Sequence, residues 1–286
     1  MMQSIRLRAP AKINLYLDIT GKRPDGYHEL ETVMQSVSLY DYVNIALTEG
    51  DDITVSCTDE GIPAGSGNIC YKAAENFFGY TGKHCGAAVH IEKNIPSQAG
   101  MGGGSADAAA VIYGLDRLMG TSLDEAAMTD IGAKTGADVP FCISGGTRYC
   151  TGIGEVTEKL ADMPLCDIVI AKGISSISTA EAYARADSTG GLARHGIKGL
   201  FDGGDIITIA KGCMNIFESV TDIGEIGDIK QTMLDNNALC SCMTGSGSAV
   251  FGIFDDHDSA VRCADIFRSR GIFAEIVHPC GGVTML

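Results

Sequence analysis

At 286 residues the chain is long enough to bury a full core and to divide into two domains with no outside staple. Its 21 Lys and Arg against 36 Asp and Glu leave a net charge of −15, which excludes an extended nucleic-acid or anionic-membrane surface, so a phosphate ligand has to be held by local donors. Eleven cysteines without regular spacing exclude a disulfide framework, and no apolar run is long enough to span a bilayer; a soluble, cytoplasmic protein with reduced thiols is expected.

The N-terminal MMQSIRLRAPAK lacks the apolar core of a signal peptide. Residues 4–19 then alternate, with Ile13, Leu15, Leu17 and Ile19 on one face and Lys12, Asn14, Tyr16 and Asp18 on the other, which predicts a strand with one buried side. The polar face is either a solvated edge or one wall of a site, and Lys12 is the residue that matters in the second case. Pro24-Asp25-Gly26 makes a turn that sets Tyr27 and His28 at a loop tip. Further strands are predicted around Val43, Ile45 and Leu47, around Ile53, Val55 and Cys57, and around Val89 and Ile91, together read as a meander. Between the last two, Asn68 caps a helix on which Ile69, Ala73 and Phe77 share a face.

The stretch PSQAGMGGGSADAAA, residues 96–110, carries the strongest signal. Four of the five residues from 100 to 104 are glycine, so the backbone can take positive φ and approach a ligand without interference from Cβ atoms. A helix with Ala108, Ile112 and Leu115 at helical spacing follows at once, placing the glycines at a helix N-terminus whose free N–H groups favour an anion. Neither Gly-Lys-Ser/Thr nor the GxGxxG spacing is present, so this is not a Walker A loop or a dinucleotide fingerprint. A flexible turn before a buried helix is the alternative reading of the same residues.

Ser122 and Glu125 suggest a capping box that opens a second helix ending at Gly136. A strand is predicted in the segment GADVPFCISGG, with Asp138 at its entrance drawn toward the interior, where a buried carboxylate needs a partner or a task; a turn or helix-cap Asp is the alternative. A hairpin around Gly152-Ile153-Gly154 covers 147–160 and a strand covers 167–171, so a domain boundary is placed between them, giving domains over 1–160 and 161–286. The second half carries helices from Ser178, with Glu181 completing a capping box, and over 205–220, 226–234 and 258–268. The polar tract 189–204 reads as a mobile loop. Cys240 and Cys242 form a lone CxC with no second pair, which argues against a metal site. The loop TGSGS at 244–248 precedes the apolar run AVFGIF and offers a second set of N–H groups to an anion.

In chain order, PAKINLYL, DGYHELET, PSQAGMGGGSADAAA, GADVPF and TGSGSAVFG resemble the GHMP kinase superfamily over essentially the whole chain. Within it, DGYH and the triple-glycine loop resemble the branch that phosphorylates a cytidyl-linked methylerythritol on the non-mevalonate route to isoprenoids. The resemblance implies an α+β fold in two domains, an N-terminal one like the second domain of a small-subunit ribosomal protein and a C-terminal ferredoxin-like one. It implies ATP as phosphoryl donor, assisted by Mg²⁺ with no protein ligand assigned, and a small-molecule substrate, with no nucleic acid or membrane partner and a monomer or weak homodimer. By match to the motifs, Asp138 is the catalytic carboxylate and Lys12 its partner. ATP falls to Pro96, Gly100, Met101, Gly102, Gly103, Gly104 and Ser105 of the loop, with Asn68 and Lys93 lining the adenine pocket. The substrate falls to Asn14, Thr179, Gly245 and Ser246 and to Tyr27, His28 and Tyr183, the two Tyr rings sandwiching the base and His28 meeting its edge. The sequence departs from the family at Ala106, where a second hydroxyl residue commonly follows Ser105. Another small-molecule kinase of the superfamily, acting on mevalonate, phosphomevalonate, homoserine or a sugar, and a nucleotide-binding module without catalysis remain the alternatives.

Overall fold

A computed structural model describes residues 3–187 and 197–286. In chain order its elements are β1 (Ser4–Lys22), β2 (His28–Thr48), β3 (Ile53–Cys57), α1 (Ile69–Thr81), β4 (Gly86–Glu92), α2 (Gly103–Met119), α3 (Glu125–Thr135), α4 (Val139–Ser144), β5 (Thr147–Thr151), β6 (Val156–Lys159) and β7 (Asp167–Lys172). There follow α5 (Thr179–Ala186), α6 (Lys198–Phe201), α7 (Ile206–Gly212), β8 (Met214–Asn215), α8 (Gly224–Asp235), β9 (Cys240–Met243), β10 (Val250–Phe254), α9 (His257–Ser269), β11 (Phe273–Val277) and β12 (Thr284–Met285).

The strands form two sheets. The first runs β12-β1-β2-β4-β3, with β5 and β6 extending from β2 and β8 added to β1. The second is wholly antiparallel in the order β11-β7-β10-β9. Read as β7-α8-β9-β10-α9-β11, it is the expected ferredoxin-like arrangement, with α8 and α9 burying Ile226, Ile229, Cys263 and Phe267 against one face. The other face of this sheet packs Ile168, Ile170, Phe251 and Ile253 against Ala11, Ile13, Leu15 and Val33 of the first sheet. Helices α1 and α2 cover the remaining part of the first sheet, where Leu7, Val43, Ile45 and Ile91 meet the Ala-rich face of α2. A Cβ on Gly114 would lie 2.5 Å from Ile45, so this helix rests directly on the strands.

Several local expectations are corrected. The first strand is buried on both sides, because two loops cover the polar face that would otherwise be solvated: Gly102 lies over Lys12, Gly245 lies against Asn14, and Lys12, Asn14 and Asp18 are all interior. A register shift between Asn14 and Tyr16 also breaks the alternation and sends Tyr16 into the apolar cluster. β3 pairs parallel with β4, so the strands are not a meander. The helix expected over 205–220 stops at Gly212, packed against the Phe201 ring, and the chain turns extended at Met214–Asn215 to pair with Tyr16 and Leu17. The segment after Asp138 is the short helix α4 rather than a strand, since Pro140 suits a first helical turn, where no N–H partner is needed. Neither capping box forms. Asp124 caps α3 by accepting from Ala127 N–H at 2.8 Å while Glu125 reaches Ser144 and Arg148, and Glu181 pairs with Arg185 instead of turning back to Ser178. Of the tract read as a mobile loop, 189–196 lies outside the described residues and 198–201 is helical, with Phe201 buried.

Candidate active site

The glycine loop is a crossing point between backbones. Gly102 adopts φ 67° and ends the loop as the cap of α2, with no side chain bonded to the first N–H groups of the helix. Among the described residues no acceptor fills the N–H groups of Gly103, Gly104 and Ser105, and a helix N-terminus in this state favours an anion. Glycine is needed for a second reason: a Cβ on Gly102 would sit 2.9 Å from Lys12 Cγ, and one on Gly100 would sit 2.1 Å from the Thr244 carbonyl oxygen. The loop therefore arches over the Lys12 stem on one side and lies backbone to backbone with the 244–248 loop on the other. Lys12 N–H donates to the Met101 carbonyl at 2.9 Å, and Ala249 N–H to the Ala99 carbonyl at 3.2 Å, which ties β1, the glycine loop and the second sheet together. Met101 itself points into the core.

Beneath the arch, Lys12 Nζ lies 3.5 Å from Asp138 Oδ2 and donates to Asn14 Oδ1 at 2.6 Å. The lysine side chain is 5% exposed and the carboxylate 32%, so a buried cation is held against an acid that opens onto a cleft. Asp138 is the cap residue immediately before α4, fixed by the Cys142 N–H that its carbonyl accepts. Asn14 is less free than its reading as a substrate contact implies. Its Oδ1 also accepts from Gly245 N–H at 3.1 Å and its Nδ2 donates to Thr32 at 2.9 Å, so it orients Lys12 and the 244–248 loop from within the protein.

Two cavities meet at the glycine loop above this pair. One, of about 400 Å³, is bounded by Asn68, Lys93, Pro96 and the glycine loop. The other, of about 770 Å³, is lined by Lys12, Asp138, Tyr27, His28, Thr179 and Tyr183 and reaches Gly245 and Ser246. Gly100, Gly102 and Ser105 line both. Thr179 and Ser246, far apart in sequence, share a hydrogen bond of 2.8 Å between their hydroxyls.

In the smaller cavity Asn68 is used as a helix cap, accepting from Cys70 N–H at 2.9 Å. Lys93 sets its ammonium beside Gly103 of the loop, between the buried carboxylates of Asp41 and Asp107. Burial pulls this ammonium down, but the two carboxylates outweigh it and leave its pKa raised. The Asp107 carboxyl is pushed up to about 7, chiefly by burial, with Lys93 opposing and the Asp41 charge adding to the rise. Sequence reasoning missed this cluster because Asp41 lies 52 residues from Lys93 and carries no motif.

In the larger cavity the turn is closed by Gly26 at φ 91° and by Tyr27 N–H donating to Asp25 Oδ1 at 3.1 Å. Tyr27 is 60% exposed, whereas the His28 ring is stacked on Tyr183, with centroids 4.7 Å apart and planes 21° from parallel. Tyr183 in turn meets Phe217 edge to face at 4.9 Å, and burial pushes its hydroxyl up to about 12. The imidazole thus covers one face of the Tyr183 ring at this end. Asp187 was not singled out from sequence, yet it accepts from both His28 Nε2 at 2.6 Å and Lys22 Nζ at 2.5 Å. Asn215 was also missed: its Nδ2 donates to the Met243 and Gly245 carbonyls at 2.7 and 2.8 Å, anchoring the 244–248 loop.

Residues 68–146 match the GHMP kinases N terminal domain, and residues 207–272 match the GHMP kinases C terminal domain. The chain belongs to the GHMP kinase family. Relatives of this GHMP kinase include the 4-diphosphocytidyl-2-C-methyl-D-erythritol kinases of Caldicellulosiruptor bescii, 44% identical with 96% of each chain covered, and of Geobacter sulfurreducens, 41% identical with 97% of this chain and 99% of that one covered. A crystal structure of 4-(cytidine 5'-diphospho)-2C-methyl-D-erythritol kinase superposes with a TM-score of 0.80 at 29% identity, covering 97% of this chain and all of the other. A homoserine kinase from Cytophaga hutchinsonii also gives a TM-score of 0.80, but at 20% identity, which speaks to the fold that GHMP kinases share. No helix among the described residues is long and apolar enough to cross a membrane.

Proposed function

We infer that this GHMP kinase transfers the γ-phosphoryl of ATP to the 2-hydroxyl of 4-diphosphocytidyl-2-C-methyl-D-erythritol, a step in isoprenoid biosynthesis. The observation that carries the reading is the meeting of two cavities at Gly100, Gly102 and Ser105, at the N-terminus of α2, with the Lys12–Asp138 pair lining the larger one. Relatives at 41–44% identity over nearly the whole chain, all of this one specificity, favour it over another substrate of the superfamily.

ATP would lie in the smaller cavity with its phosphates on the N–H groups of Gly103, Gly104 and Ser105. Fixed dipoles there stabilise charge as it spreads over the transferring group, at no cost of reorganisation. The acceptor would lie in the larger cavity with its hydroxyl toward Asp138, which takes the proton late in transfer. Lys12 orients that carboxylate, and its own position is fixed by Asn14. Thr179, Gly245 and Ser246 would hold the diphosphate, and the Tyr27, His28 and Tyr183 end would take the cytosine. Mg²⁺ fits this donor set: Asp138 and the Ser105 hydroxyl offer hard oxygens beside the phosphates, and a Mg²⁺ ion needs few protein ligands when phosphate and water supply the rest. Bound there, it would neutralise charge on the phosphates. We also place the enzyme in the cytoplasm.

The deciding assay is phosphoryl transfer from ATP to the cytidyl-methylerythritol, with mevalonate and homoserine as control acceptors. Turnover of the first alone is expected. Preferential turnover of a control would overturn the substrate, and no turnover of any with intact ATP binding would favour a non-catalytic module.

A further inference from the structure

Asp187 follows the last turn of α5, one helical turn beyond Tyr183, and lines the larger cavity beside the two aromatic rings. Its two carboxylate oxygens are divided between two partners on the β1–β2 hairpin. Oδ2 accepts from Lys22 Nζ and Oδ1 accepts from His28 Nε2, and Lys22 and His28 are themselves cross-strand neighbours. An ionised carboxylate can only accept, so the proton of the imidazole must sit on Nε2. Asp187 is held ionised by the same contacts: the hydrogen bonds from Lys22, then His28, keep its carboxyl below the usual range.

A neutral imidazole with its proton on Nε2 presents a lone pair at Nδ1, on the far side of the ring from Asp187. Nδ1 has no hydrogen bond to another described residue. Its lone pair lies in the ring plane, and that plane rests within 21° of Tyr183. A base bonded edge-on to Nδ1 therefore lies in the layer of the imidazole, close to parallel with the Tyr183 ring.

We propose that Asp187 is the residue that sets base selectivity: by holding the His28 proton on Nε2 it makes Nδ1 an acceptor, which suits the exocyclic amino group of cytosine and rejects the carbonyl that uracil carries at the same position. The assignment rests on the cytidyl reading given above. Asp187 does not itself touch the base in this account; it positions and polarises the group that does. A carbonyl oxygen facing the Nδ1 lone pair sets two acceptors against each other, and each then lies desolvated without a donor.

The test compares the full-length enzyme and its Asp187→Ala, Asp187→Asn and Lys22→Ala variants on the cytidyl substrate and on its uridyl counterpart, together with ¹⁵N NMR of the His28 ring. Wild type should show protonated Nε2 and bare Nδ1 and strongly prefer the cytidyl compound. Asp187→Ala should raise KM for the cytidyl compound about tenfold and leave the uridyl KM nearly unchanged, with kcat within about twofold for both, so that discrimination falls about tenfold. Asp187→Asn, whose carbonyl still accepts from Nε2, should retain most of the discrimination, and Lys22→Ala should retain it as well. Equal weakening of both substrates by Asp187→Ala would mean that Asp187 merely braces the hairpin, and a wild-type ring carrying a proton on Nδ1, whether alone or together with one on Nε2, would overturn the proposal by itself. Should Asp187→Ala fail to fold, the ring shifts of wild type and Asp187→Asn still decide it. A wild type that ignores the cytidyl compound would instead overturn the functional reading.

Discussion

The two ends of the cleft are built from different materials. The end under α2 is made of backbone: unfilled N–H groups, glycines pressed against Lys12 and Thr244, and a carbonyl bonded to β1. The end at the hairpin turn is made of side chains, a stack of His28, Tyr183 and Phe217 braced by Asp187, with Tyr27 projecting into solvent above it. Backbone N–H groups read the charge of a phosphate and nothing about the group attached to it, whereas ring edges read the donor and acceptor pattern of a base. Catalytic power should therefore be lost by changes near the glycine loop, and selectivity by changes near the turn.

The sharpest way to break this division is at the junction. Lys12→Ala and Asp138→Asn should each lower kcat by about three orders of magnitude, with modest change in KM, in steady-state assays. Next comes the loop: Gly100→Ala would press a methyl group into the Thr244 carbonyl at a positive-φ position and should cost about 2–4 kcal/mol of stability by denaturant titration, with loss of ATP binding. Tyr27→Ala, at the other end, should raise the acceptor KM up to about tenfold with kcat and the KM for ATP unchanged. An effect of Tyr27→Ala on kcat would blur the division, as would an effect of Gly100→Ala on acceptor choice.

The smallest effect concerns the buried cluster behind the loop. The Asp107 carboxyl, raised to about 7 in the folded protein from 3.8, binds its proton more tightly folded than unfolded. Its contribution is thus fully present below the unfolded value of 3.8 and is lost as pH rises through about 7. Asp107→Asn should flatten that decline by on the order of 1–2 kcal/mol in denaturant titrations across the range. Parallel curves for the two proteins would show that Asp107 is already ionised in the folded state at pH 4.

What could be read from the chain follows the same division. The glycine run, with its helix and its pairing to a distant Gly-Ser loop, was legible because backbone geometry writes itself into residue type: positive φ and close approach demand glycine. The wall formed by Lys12 was half legible, since alternation placed it on a polar face but could not say that the glycine loop would cover that face. Asp187, Asn215 and Asp41 were not legible. Each acts through a partner at least 28 residues away and occupies a position where Asp or Asn would be equally at home on a surface. Asp138 was found by its motif while its setting was misread, because a Pro one residue after Val139 fits a strand entrance and a first helical turn alike.

The account depends most on the meeting of Lys12 and Asp138 at the point of transfer. A single-turnover measurement on Asp138→Asn, with ATP and acceptor affinities determined separately, tests it directly. Transfer should fall by about a thousandfold or more while both dissociation constants stay within about threefold of wild type. Transfer at a near-normal rate, or a loss traced wholly to weakened binding of either ligand, would contradict it.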